Sequence, residues 1–445
     1  MLSFACLSTL LGMGYLVRQR IPLLQRLYLP ASIIAGLIGL MMINVLPVPE
    51  AATEGWGSLP GQLINIVFAC LFLGMKIPGI RAAWKSAGRQ LAYGQILVWG
   101  QYAIGCVLTL LLFKPFFALP DVFAGIMPVG FEGGHGTAGG MAPTFDALGF
   151  PEMKDYALAS ATGGILGAIL VGMALVNWAV RRGHVERRVS PESGGGSEDV
   201  RGIIPIGERP EAGRLPVKSD VIESLSLQIV AIGAAVLLGW LMKRGLTAGA
   251  GFLPEKGAAV FVSFPLFPLC MLGGVVVQKI ANRFDRHRHI NRGLVLRLQN
   301  AALDFLVVAA ISTIRLDVVA RSWVPLTLVI VAGILWNVFA LLVIARRAFT
   351  DAWFERAIAE LGQSMGVTAT GLLLLRTVDP DYQTPAAEAF AAKQLMHEPF
   401  MGGGLWTGAA IPLLALWGGW PILGIALIAM LAWTFVLAGL NRRGA

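Results

Sequence analysis

The residues with the richest chemistry in this chain form one glycine run, Gly130-Phe131-Glu132-Gly133-Gly134-His135-Gly136-Thr137-Ala138-Gly139-Gly140. Glycine has no Cβ, so such a stretch can unwind and let backbone groups approach a ligand closely. Unwound backbone in an apolar setting offers carbonyls to a cation and amide N–H groups to a carboxylate. Thr137 adds a hydroxyl suited to either partner. Glu132 and His135 are ionisable groups, which are expensive at membrane depth. Glycines also serve plain close packing of helices, so the run alone does not define a site.

A second stretch carries similar groups: Gln363-Ser364-Met365-Gly366-Val367-Thr368-Ala369-Thr370-Gly371. Ser364, Thr368 and Thr370 supply hydroxyls around Gly366. Arg376 follows, just before Val378-Asp379-Pro380, and would either clamp a carboxylate through paired N–H groups or snorkel to the interface. Asn300 and Asp304 share one helix face in an apolar run. Asp304 would bind sodium, carry a proton or pair with a polar neighbour. Lys393, His397 and Glu398 precede Pro399, where a helix kinks and its carbonyls are partly freed. Those charges form either an ion-pair lock or part of a translocation path. Cys6, Cys70, Cys106 and Cys270 lie in apolar runs without metal-like spacing and read as small packed hydrophobes. An enzyme using His135 and Glu132 as acid and base is the least supported class, with no metal pair such as H-E-x-x-H beside them. The expectation is a protein with neither catalytic residues nor a structural metal.

The elements that must position these groups are apolar helices. Hydrophobic residues make up 56% of the chain and charged residues only 14%, with a mean hydropathy of +0.70. The apolar residues come in runs of about twenty, the length that crosses a hydrocarbon core. The polar periodicity of soluble amphipathic helices is missing. Expected spans lie near 2–17, 29–47, 61–77, 92–113 and 156–180, then near 224–242, 258–278, 299–314, 324–345, 388–414 and 420–440. The net charge of +9 comes from basic residues at the ends of these runs, such as Arg18, Arg20, Arg26, Arg286, Arg288 and Arg292. That is the positive-inside pattern, which predicts lipid surroundings and no nucleic-acid partner. It places the N-terminus outside, and the 181–222 linker and the C-terminus inside. The linker holds Arg181, Arg182, Arg187, Arg188 and Ser193-Gly194-Gly195-Gly196-Ser197, the composition of a mobile cytoplasmic loop. Trp56, Trp84, Trp323 and Trp406 read as interfacial anchors.

Two apolar regions, 122–149 and 354–380, are too rich in glycine and proline for a regular span, yet too apolar for an aqueous loop. Each reads as a re-entrant hairpin. They occupy matching places in the chain. Leu29-Pro30 with Gly36 matches Phe267-Pro268 with Gly274 at an offset of 238. Lys76, Ile77 and Trp84 match Arg315, Leu316 and Trp323 at 239, and Gly136 matches Gly366 at 230. The expected fold class is an all-α polytopic membrane protein with two repeats, each of five transmembrane helices and one hairpin. An odd number of spans inverts the second repeat, the plan of many secondary transporters. The repeats would occupy 1–180 and 223–415, with an extra C-terminal span in 416–445. A channel with a broken-helix filter is the second class.

At these residues the chain resembles the sodium/glutamate symporter family of bacteria. Gly133-Gly134-His135-Gly136-Thr137 is similar to that family's distinctive motif. Leu29-Pro30-Ala31-Ser32 with Gly36, and the 266–274 stretch, are similar to its paired segments; the resemblance runs over about 1–415. It implies a sodium-driven importer of glutamate or a related acidic amino acid in the bacterial inner membrane, working as a homodimer by elevator-type alternating access. Sodium is the coupling ion and no cofactor is implied. By motif match the substrate-binding residues are Gly133, Gly134, His135, Gly136 and Thr137, with Gly366, Thr368 and Thr370 in the second hairpin. Arg376 is a further substrate candidate, and Glu132, Ser364 and Asp304 are candidate ion ligands. Ala369 stands where members commonly have proline, and Leu374 where they have asparagine. The alternative is therefore another small carboxylate, coupled to protons or another cation.

Overall fold

The computed structural model describes residues 1–27, 29–75, 80–185, 204, 207, 209–252, 254–380 and 382–443. The repeat landmarks Lys76 and Ile77, and the linker residues Arg187, Arg188 and Ser193-Gly194-Gly195-Gly196-Ser197, lie outside them. Every regular element among the described residues is helical. Seven helices are long and apolar enough to cross a membrane, or eight if Gly257–Ser263 and Phe267–Phe284, bent by 70°, count as one span. The chain divides into two compact units, each drawn from both halves of the sequence.

One unit comprises Met1–Ile77, Gly139–Thr144 and Gly195–Ile314. Its main helices are Leu2–Arg20, Ala31–Val45, Leu59–Ala69, Ser224–Ala250, Phe267–Phe284 and Arg292–Ser312. Proline starts three of them. Pro30 caps Ala31–Val45, and Pro60 and Pro268 lie in the first turns of Leu59–Ala69 and Phe267–Phe284, where a missing N–H breaks no helical bond. Small residues then bring backbones together. A Cβ at Gly239 would fall 2.6 Å from the Cys270 nitrogen, and one at Gly273 would strike the Ala235 carbonyl oxygen. Buried Cys70 and Cys270 pack among Ala69, Leu73, Ile232 and Val295, as expected of thiols used as hydrophobes. Ala31–Val45 has 15 residues and Leu59–Ala69 has 11, fewer than the spans expected there. At about 1.5 Å per residue neither covers a ~30 Å core alone.

The other unit comprises Pro78–Ala138, Phe145–Gly194 and Arg315–Ala445. Ile80–Leu108 runs on through a π-helical turn, Thr109–Phe113, and Trp323–Phe339 runs on through another, Ala340–Ile344. Met153–Arg182, Trp353–Val378, Ala386–His397, Leu405–Trp417 and Gly419–Arg443 complete it. The last of these lies along Ile80–Leu108, with the Trp84 and Trp433 rings 6.4 Å apart and Arg89 Nη2 donating to the Leu440 carbonyl at 3.4 Å. The continuous span expected over 388–414 is instead two helices. Ala386–His397 ends at Glu398, and Leu405–Trp417 begins after Pro399 and the triplet Gly402-Gly403-Gly404. Proline cannot donate a backbone hydrogen bond, and Gly403 at φ 96 turns the chain the wrong way for a helix. Two of the tryptophans expected at the interfaces pack against other side chains. Trp56 is buried beside Leu7 and Leu10, and the Trp406 ring lies 4.7 Å from that of Trp99.

Candidate functional site

Both regions expected to form hairpins break where the backbone leaves helical geometry. In the first, Ile126–Phe131 ends at Glu132, and Gly134 (φ 64) opens a new short helix. In the second, Trp353–Val378 is interrupted at Gly366 (φ −154) and Val367 (φ 64). A β-branched residue at positive φ costs on the order of 1–3 kcal/mol, so its surroundings must hold Val367 there. Thr370 Oγ1 donates to the Gly366 carbonyl freed by the break, at 2.5 Å. The arms then double back, since a Cβ at Gly362 would lie 2.7 Å from the Gly371 Cα. The two breaks face each other: a Cβ at Gly134 would collide with Val367 Cγ1.

A buried polar network crosses this meeting point. Glu132, at the first break, accepts from Gln363 Nε2 (2.7 Å) and Ser364 Oγ (2.8 Å) of the second. His397 Nε2 lies 3.3 Å from the same carboxylate. The imidazole tautomer follows from its other side. Trp99 Nε1 donates to Gln95 Oε1 (3.0 Å), which turns the Gln95 amide N–H towards His397 Nδ1 (3.2 Å). Nδ1 is therefore the acceptor, and Nε2 carries the proton that points at Glu132. Lys393 Nζ forms an ion pair with Glu360 Oε2 at 2.9 Å and donates to Gln394 Oε1 (2.9 Å) and Gln363 Oε1 (3.2 Å). Gly94 makes room for this pair, for a Cβ there would lie 2.6 Å from Lys393 Cε and 2.9 Å from Glu360 Oε2. Gln90 Nε2 donates to the other Glu360 oxygen at 2.9 Å. Beyond Lys393, Gln394 Nε2 donates to Thr368 Oγ1 (2.5 Å), and Thr368 donates to Glu398 Oε1 (2.6 Å).

Three carboxylates thus share one lysine and one neutral histidine. Glu132, Glu360, Lys393 and His397 are buried, whereas Gly133, Val367, Thr368 and Glu398 are half-buried and Ala369 is exposed. The cluster is a polar centre with one accessible edge. Excess negative charge away from water is costly unless a cation joins it, so the arrangement is built to receive positive charge.

Comparison with known proteins matches the sequence model of the sodium/glutamate symporters to residues 1–384. The chain belongs to the sodium/glutamate symporter family. A sodium/glutamate symporter of Haemophilus influenzae is 21% identical over 395 residues, covering 87% of this chain and 90% of that protein.

The family motif Gly133-Gly134-His135-Gly136-Thr137 forms the first break and the start of the helix after it. Thr137 is buried against Gly133, and Gly366, Thr368, Thr370 and Ser364 surround the second break. His135 is buried too, but faces Met153–Arg182. Its Nε2 lies 2.9 Å from Thr162 Oγ1, whose own proton goes to the Leu158 carbonyl, so His135 is the donor. Two candidates stand apart. Arg376 is exposed in the last turn of Trp353–Val378, about 14 Å along the helix from Val367. Asp304 belongs to the other unit, exposed on Arg292–Ser312. Glu360, Gln363 and Gln95, with Gln90 behind them, are members the motif reading passed over. The available signal was a polar side chain in an apolar run. Residues 362–366 also spell G-x-S-x-G, the spacing of a hydrolase nucleophile elbow. Here Ser364 sits inside a helix rather than on a strand-to-helix turn, and its hydroxyl donates to a carboxylate instead of a histidine. That wiring does not activate a nucleophile.

Proposed function

We propose that the chain is a sodium-coupled importer of glutamate or a closely related acidic amino acid. The observation that carries this reading is the meeting of the two breaks around Glu132, within a family of sodium/glutamate symporters. The glycines of the first break let backbone amides reach a carboxylate, Thr137 and Thr368 add hydroxyls, and Glu132 with Ser364 offers oxygen to sodium. An inverted repeat is supported by the two π-helical turns, Thr109–Phe113 and Ala340–Ile344, 231 residues apart. The positive-φ residues Gly134 and Val367, 233 apart, repeat that offset closely. In an elevator-type cycle the unit holding both breaks is the carrier and the other is the scaffold, through which a homodimer would form in the inner membrane.

Uptake into proteoliposomes tests this reading. Labelled glutamate should accumulate under an inward sodium gradient, and unlabelled dicarboxylates and amino acids should compete in order of likeness to the true substrate. Failure of every acidic amino acid to accumulate would contradict the transport assignment. Accumulation driven by protons alone would overturn the sodium coupling and leave the transporter class standing.

A further inference from the structure

Glu398 holds a place in the network unlike that of its neighbours. Glu132 is buried and accepts from Gln363 and Ser364, and Glu360 is buried and paired with Lys393, whereas Glu398 is half-buried at the accessible edge. Its Oε1 accepts the Thr368 hydroxyl at 2.6 Å, one residue past the positive-φ Val367, and lies 3.4 Å from Gln394 Nε2. It follows directly on Ala386–His397, and the family match ends at residue 384, before this helix begins. Pro399 and the glycine triplet come next, so the segment bearing this carboxylate is not locked into a helix on its C-terminal side.

We propose that Glu398 acts as an internal stand-in for the substrate's carboxylate. It occupies the Thr368 hydroxyl and the Gln394 amide that an incoming carboxylate needs. An anionic substrate arriving there meets a like charge a hydrogen bond away, a repulsion that water screens poorly at a half-buried site. A proton from solvent, added to the Glu398 carboxylate, removes both obstacles. Thr368 is then free to donate to the substrate, and the neutral acid adds a donor of its own. The other ionisable groups facing this edge are His397 and Lys393 on the same helix, Glu132 at the first break and Glu360 behind Lys393. Tyr93 and Tyr102 line the Ile80–Leu108 side. Lys393 and His397 are engaged with Glu360 and Glu132, which leaves Glu398 without an ion-pair partner among the described residues. The inference rests on the carboxylate-transport reading above and adds a proton to it as a condition of binding.

The test is the KM for glutamate uptake by the full chain in proteoliposomes, at fixed sodium, from about pH 5 to about pH 8. Wild type should show KM rising with pH, approaching about tenfold per unit where one proton is taken up per substrate. Glu398→Gln should keep uptake with a low KM that no longer depends on pH, and Glu398→Asp should restore the slope. The same slope in wild type and Glu398→Gln would overturn the proposal, pointing to Glu132 or His397 instead. If Glu398→Gln does not fold, proton uptake by weakly buffered purified wild type on adding glutamate, aspartate or succinate decides the matter. Binding with about one proton taken up at alkaline pH supports the proposal, and binding with none contradicts it. Absence of binding by all three contradicts the carboxylate reading itself, a result distinct from the failure of Glu398 alone.

Discussion

Lys393 is the residue on which the polar centre depends. It is fully buried, 2.9 Å from Glu360 Oε2, and donates to Gln363 and Gln394. Removing one member of a buried pair leaves an uncompensated charge, at a cost of about 3–5 kcal/mol. Lys393→Met should therefore lower the melting temperature of the detergent-solubilised protein markedly. Adding Glu360→Gln should recover most of the loss, because no charge is then stranded. A double variant no more stable than Lys393→Met would show that the lysine acts through packing instead. At this scale the sequence was legible in part. The first break stood out because Gly133, Gly134, Gly136 and Thr137 are contiguous. Gln90, Gln95 and Glu360 were not singled out, since each meets its partners only through tertiary packing.

The hairpin breaks are where element geometry and chemistry coincide. Gly134 sits at φ 64 and faces the Val367 side chain, so a methyl group there is strained and has no room. Gly134→Ala should destabilise the protein by about 1–3 kcal/mol in a thermal melt and impair uptake more than stability. Unchanged melting and transport would mean that the two breaks do not pack as described. The first break was readable from its glycines, because only glycine takes positive φ without cost, whereas at the second the positive φ falls on Val367 and Gly366 only marks the neighbourhood. The gap between Ala386–His397 and Leu405–Trp417 was not read as a gap. Residues 398–404 are nearly as apolar as their flanks, and a hydropathy run does not register a backbone that Pro399 and Gly403 divert. Hydropathy likewise merged short helices such as Leu59–Ala69 into full-length spans.

At the scale of the whole molecule, the chain's order and its packing follow different divisions. Sequence offsets pair one half with the other, whereas contacts gather the first helices of both halves into one unit and the two breaks into the other. That partition is written in long-range contacts, such as those between Gly36 and Ile311 in one unit or Glu132 and Ser364 in the other. No local pattern in the sequence encodes it. In the proposed cycle the accessible edge between the breaks is the substrate site and is presented to each face of the membrane in turn. Ala369, exposed two residues past Val367, is placed to report on it. The native thiols Cys70, Cys106 and Cys270 are buried, so replacing Cys6 with serine leaves a quiet background for Ala369→Cys. Labelling with a membrane-impermeant maleimide, added to either face of oriented vesicles, should occur from both sides and should slow when sodium and glutamate are present together. Labelling from one face alone, unaffected by sodium and glutamate, would contradict the account.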